Sequence, residues 1–334
     1  MPSDPRHAPP QHPSPPEPEP VQRAARVVPL PRESAVARLQ AAAVIGSLVL
    51  AAAALWAWPG ALGIAVVGVL IALQPAALAM EQILAARLHG NDPAPRPTAA
   101  QRCRAWWREA VAATRVFGWD QPFRWRAEPD AASPAGDARA PVLLVHGYLC
   151  NRGFWRPWLR ALRAEGRSVV ALNLEPVFTS IDDYARVIEC GVARLEAHTG
   201  RRPVIVAHSM GGLAVRAWMA ATPGGRERVA RVITIGSPHR GTWLATLGNQ
   251  PNARQMRPGS AWLTALAQRE PPNAFDGWVC WYSSTDNVVF PPSTATLPGA
   301  DNRHVEAAGH VDLAFQPVVM SASLAVMASA DNSP

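Results

Sequence analysis

The sequence predicts an α/β fold, a mainly parallel sheet flanked by helices, preceded by two transmembrane helices. Three observations carry this. After residue 140 short β-rich runs alternate with helical patterns, as in a parallel sheet covered on both faces. From Leu39 to Met80 no residue is charged. The run Val204-Ile205-Val206 enters Ala207-His208-Ser209-Met210-Gly211-Gly212 and leaves as a helical pattern, Leu213–Met219, so a serine sits at the tip of a strand–turn–helix.

Residues 1–36 are dense in proline and poor in aromatics, which predicts a disordered tail. The uncharged block of about 42 positions would reach roughly 63 Å as helix, about twice the apolar thickness of a bilayer. Pro59-Gly60 near its middle is a turn signal. The block therefore reads as a two-helix transmembrane hairpin at 37–80, made of Leu39–Trp58 and Ala61–Met80, with Gln74-Pro75 as a place for a kink or an early end. Residues 81–118 read as a basic juxtamembrane linker with a helix at Arg102–Arg115. Its Trp106-Trp107 pair fits either a lipid headgroup surface or packing on the following domain. Arginines flank the hairpin on both sides and the turn has none, which puts both flanks on the cytoplasmic face. A single anchor with an exported domain is the competing topology.

The α/β domain is expected at 119–330. Strands are predicted at Phe123–Ala127, Val142–Val145, Ser168–Asn173, Val204–Ala207, Arg231–Ile235, Trp278–Ser283 and Arg303–Glu306. Helices are predicted at Phe154–Ala164, Ile181–His198, Leu213–Ala221 and Val311–Met327. In the second of these, Ile181, Tyr184, Ile188, Val192 and Leu195 recur three or four apart and form one apolar face. The insertion Trp243–Gly277, with an amphipathic piece at Ala261–Leu266, reads as a lid, a pocket wall or a surface excursion. Glu175–Ser180 leaves a strand end and is expected to border the pocket.

A serine becomes a nucleophile only beside a base, and the base needs an acid to fix its tautomer. With the serine on a nucleophile elbow, the acid and then the histidine follow in the chain. Ser209 is the candidate nucleophile. His310, in the loop after the last strand, is preferred to His304, which lies within that strand. Asp286 follows the strand Trp278–Ser283 and is preferred to Asp276, Asp301 and Asp312. The oxyanion is expected to meet the N–H of Met210 and the N–H of Tyr148. His146 and Gly147 shape the loop that presents Tyr148, while His208 and Gly211 support the elbow.

These residues resemble the α/β-hydrolase superfamily, in particular bacterial esterases and lipases. The resemblance covers roughly 119–328 and rests on His146-Gly147-Tyr148, the Ala207–Gly212 elbow, Ser237-Pro238-His239-Arg240-Gly241-Thr242, Met256–Leu263, Asp286 and Gly309-His310. It departs from the usual elbow pattern at Ala207, where glycine is commoner, and in its short front end. It implies a serine hydrolase of carboxylic esters, with acyl-ester substrates, lipid-derived ones among them. Together with the hairpin it implies a bacterial inner (cell) membrane protein with its catalytic domain in the cytoplasm. Thioesterase or acyltransferase chemistry and a non-catalytic membrane scaffold stand as alternatives. A transport role ranks last, because the apolar block holds no charged residue to line a polar path.

The 32 basic residues, all arginine, exceed the 25 acidic ones. Much of this charge lies before residue 120, beside the apolar block, which points to membrane lipids as partners and away from nucleic acid. Cys103, Cys150, Cys190 and Cys280 show no metal-ligand spacing. No cofactor and no metal are expected.

Overall fold

The computed structural model describes residues 33–134 and 136–331. Most of the proline-rich tail, 1–32, lies outside the described residues. Ser34 caps the first helix, accepting from Ala37 N. That helix, α1 (Ala35–Ala57), turns at Trp58–Gly60 into α2 (Ala61–Leu88). Both are long and apolar enough to cross a membrane. Leu48, Val49, Leu50, Ile64 and Ile71 are exposed along them, as is Trp56 at the turn. Pro75 does not end α2, which runs on through Glu81 and Gln82 to Leu88. Then come α3 (Ala99–Arg115) and, after one wide turn at Val116–Asp120, α4 (Gln121–Phe123). A capping box between Thr98 and Gln101 starts α3.

The sheet has six parallel strands in the order β2-β1-β3-β4-β5-β6. They are β1 (Val142–Val145), β2 (Val169–Ala171), β3 (Val204–His208), β4 (Arg231–Ile235), β5 (Trp278–Tyr282) and β6 (Asp301–His304). Helices α5 (Arg156–Ala164), α6 (Ala185–Thr199) and α7 (Met210–Ala221) connect the first four. The excursion between β4 and β5 carries α8 (Pro251–Gln255) and α9 (Ala261–Arg269), and the chain closes with α10 (His310–Leu313) and α11 (Pro317–Asp331). Strands buried on both faces read as unbroken apolar runs. Leu143 and Val145 pack into one core layer, under α6 and α7, while Val142 and Leu144 pack into the other with Trp155, Trp158 and Met327. The stretch His310–Asp331 is also apolar enough for a membrane by composition, but Val319, Met327 and Ala330 on it are buried in that second layer.

Three expectations need correction. Phe123–Ala127 is no strand: Phe123 ends α4 and the chain turns. The edge it would have joined, β2, is three residues long, and Ala131 takes its outer hydrogen bonds (Ala131 N to Val169 O at 3.0 Å, Val169 N to Ala131 O at 2.9 Å). The last helix is two, because Pro317 cannot continue α10 and instead opens α11. The final strand lies at Asp301–His304, two residues before the predicted span.

Chain order reverses between β1 and β3, since β2 lies on one side of β1 and β3 on the other. Such a switch leaves a crevice at the carboxyl ends of the two strands. The loops carrying Tyr148 and Ser209 leave β1 and β3 there.

Candidate active site

Ser209 sits between β3 and α7 with φ 54° and ψ −131°, a conformation that holds its side chain off the sheet. Its N–H bonds Ile235 O of β4 at 2.9 Å. Two glycines make the close approach possible. A Cβ on Gly147 would lie 2.7 Å from Ser209 Cβ, and one on Gly211 would lie 2.6 Å from Val145 O. Ala207 is fully buried in β3 opposite Val145 and Thr234, so its methyl is core packing. Met210 opens α7, where an N–H has no acceptor inside its own helix. Tyr148 borders the same space as Ser209, and the loop bends sharply behind it at Leu149, φ 54°.

Asp286 and His310 meet. His310 Nδ1 bonds Asp286 Oδ2 at 2.9 Å, while Asp286 Oδ1 accepts from Val288 N and Val289 N at 2.8 Å each. The next residue, Asn287, accepts from His310 N through Oδ1 at 3.1 Å. Both partners are buried. Burial opposes charging His310, but the Asp286 carboxylate, with Glu109 behind it, outweighs that and raises its pKa above the ordinary imidazole value.

His208, His146 and His304 are held in other hydrogen bonds. His208 Nε2 donates to His310 O at 3.1 Å, and its ring stacks on Phe154. Burial and the neighbouring His310 hold it well below the usual pKa, so it stays neutral. His146 accepts from Leu174 N through Nε2 at 3.0 Å and donates to Gly147 O through Nδ1 at 2.9 Å. Burial brings its pKa down to about 4. His304 bonds Ser284 Oγ at 2.9 Å and does not join the pair.

Two cavities meet at Ser209. One, of about 280 Å3, runs under the β4–β5 excursion between Leu244, Leu247, Ala253, Met256 and Val289. Thus α8 and the turn before it wall a pocket, while the predicted piece Ala261–Leu266 forms α9 outside it. The other, of about 460 Å3, also reaches His310 and is closed by Gln40 of α1, Ala77 and Glu81 of α2 and Glu109 of α3. The stretch Glu175–Ser180, expected to border the pocket, lines neither of these cavities, and its Phe178 instead meets the Tyr148 ring edge-on.

Sequence reading missed Glu109. It is 2% exposed and accepts from Val311 N at 2.9 Å and Asp312 N at 2.9 Å, which caps α10 just after His310. Burial pushes its pKa up to about 7, against those two N–H groups. A signal existed: Glu109 is the one acid in α3, and it shares a face with Ala105, Ala112 and Ala113. The tryptophans of α3 divide, Trp106 Nε1 bonding Pro75 O at 2.8 Å and Trp107 facing outward. Among the described residues no group of three His, Cys, Asp or Glu side chains could hold a metal.

Residues 142–328 match the Alpha/beta hydrolase family, and the chain belongs to it. A triacylglycerol lipase of Burkholderia plantarii is 36% identical over 132 residues, 34% of this chain and 36% of that protein. The chain thus spans about a third of that curated relative. Among solved structures, mature Bacillus licheniformis lipase BlEst2 superposes with a TM-score of 0.52 at 16% identity, over 59% of this chain and 96% of that one. Aspergillus fumigatus lipase B gives 0.50 at 18% identity, over 60% and 56%. These two likenesses are likenesses of fold.

Proposed function

We propose that the protein is a membrane-anchored serine hydrolase that cleaves carboxylic esters through an acyl-enzyme. One observation carries the reading: the His310–Asp286 bond of 2.9 Å, in a crevice shared with a serine held at positive φ. Asp286 fixes the proton on Nδ1, which leaves Nε2 to take the proton of Ser209. Ser209 Oγ then bonds the acyl carbon, and the N–H groups of Met210 and Tyr148 hold the oxyanion. As the tetrahedral intermediate collapses, the ester C–O bond breaks and His310 gives its proton to the leaving alcohol. Water, deprotonated by His310, attacks the acyl-enzyme and releases the acid.

The lipase relative and the apolar cavity beside Ser209 favour an acyl ester, a lipid-derived one included. The two apolar helices hold the enzyme on a cell membrane, and arginines on both flanks favour a cytoplasmic catalytic domain.

The test uses full-length protein in detergent and p-nitrophenyl esters of increasing acyl length. Wild type is expected to release a burst of nitrophenol and then turn over. Ser209→Ala should lose the burst and on the order of 10³-fold or more of the rate. Equal turnover by the two proteins would contradict the mechanism.

A further inference from the structure

We propose that the membrane hairpin is part of the active site: the ends of α1 and α2 nearest the α/β domain build the subsite for the alcohol half of the substrate. This rests on the serine-hydrolase reading above. It names the substrate class as a membrane-resident ester whose alcohol portion is itself large and amphipathic.

Gln74, Ala77, Leu78 and Glu81 of α2 line the cavity that holds Ser209 and His310. They recur at i, i+3, i+4 and i+7, one face of a helix. Beside this stripe, Leu73, Met80 and Ile83 of the same segment are exposed. Gln74 Oε1 accepts from Thr114 Oγ1 of α3 at 2.9 Å and Glu81 accepts from Asn287, so both polar side chains turn from the outer face toward the cavity. Polar side chains in apolar helices face cavities or protein.

The hairpin is tied to the loops of the site. Gln82 Nε2 donates to Thr285 O at 2.6 Å and Asn287 Nδ2 donates to Glu81 at 2.6 Å, so α2 grips the residues on either side of Asp286. Gln40 Nε2 of α1 donates to Leu149 O at 3.1 Å, in the loop that follows Tyr148.

The two cavities divide the substrate. The leaving oxygen takes its proton from His310, so the alcohol half must lie on the histidine's side. His310 borders the hairpin cavity and not the apolar cavity under α8. The acyl chain therefore occupies the smaller apolar space, and the alcohol occupies the larger one, which mixes Gln40, Gln74 and Glu81 with Ala77, Leu78 and Phe117. An alcohol with both hydroxyls and an apolar chain fits such a wall. It reaches the site along helices whose outer faces lie in lipid.

The experiment compares two oleoyl esters presented to the full-length protein in phosphatidylcholine vesicles: dioleoylglycerol, whose leaving alcohol is monooleoylglycerol, and methyl oleate. Wild type is expected to prefer the first in kcat/KM by about tenfold or more. Ala77→Trp should cut that preference by about tenfold, and Ala77→Leu by less, as the wall advances into the alcohol space. A wild-type ratio near one, or a ratio unmoved by either substitution, overturns the hairpin subsite. Fluorophosphonate labelling of Ser209 is read in the same samples. Labelled protein with the wrong ratio refutes this inference alone, whereas unlabelled wild type refutes the serine-hydrolase reading and the inference with it.

Discussion

Glu109 is a buried acid that joins α3 to the start of α10, just after His310. In the unfolded chain it titrates near 4.5, while burial in the folded protein moves it up to about 7. Between those pH values the folded protein holds a proton that the unfolded chain has lost. Stability must therefore fall as pH rises through this window. At ~1.4 kcal/mol per pKa unit, the carboxylate costs the folded state about 3 kcal/mol by pH 8. Glu109→Gln keeps an oxygen to accept from Val311 N and Asp312 N but cannot charge. The variant should match wild type near pH 5 and gain on it steadily to pH 8. For a domain of this size the gain is roughly 6–12 °C in Tm. The assay is intrinsic fluorescence during heating of detergent-solubilised protein, for which the 13 tryptophans suffice. A difference between the two melting curves that stays constant from pH 5 to 8 would mean that Glu109 does not titrate between its folded and unfolded values. The same substitution removes a negative charge that helps raise the His310 pKa. The acid limb of kcat/KM should accordingly move to lower pH in the variant.

Asp286→Asn keeps the shape of the site but removes the charge and favours the wrong imidazole tautomer. Ester hydrolysis should fall by on the order of 10³–10⁴-fold at neutral pH, with the melting temperature as the control for folding. Ala253→Trp fills the smaller cavity from α8. In a series of p-nitrophenyl esters its preferred acyl length should shorten, while an unchanged chain-length profile would remove that cavity from the acyl path.

The α/β core was legible because its strands are buried on both faces and spell apolar runs: Val142–Val145 and Arg231–Ile235 fall where the sequence predicts them. The elbow was legible because Gly211 and Gly147 are needed by close backbone contacts that no other residue allows. Chain order paired Asp286 with His310 as candidates, and their side chains lie within 2.9 Å of each other. Phe123–Ala127 has the aromatic content of a strand, but Ala131 already occupies the outer edge of β2 and Phe123 ends α4. The role of residues 81–118 was hidden for a different reason. Glu81, Gln82 and Glu109 make their contacts about 200 residues away, with Asn287, Thr285 and Val311. Local periodicity marks the face such a side chain lies on and carries no record of its partner.

The proposed mechanism stands on the activation of Ser209 as a nucleophile. Its most direct test is labelling of the purified full-length protein with a fluorophosphonate probe, wild type beside Ser209→Ala, with the modified peptide identified by mass spectrometry. An activated Ser209 should carry one label per chain in wild type, and the variant should carry none. Folded wild-type protein that takes no label, or a variant that labels as fast as wild type, would contradict it.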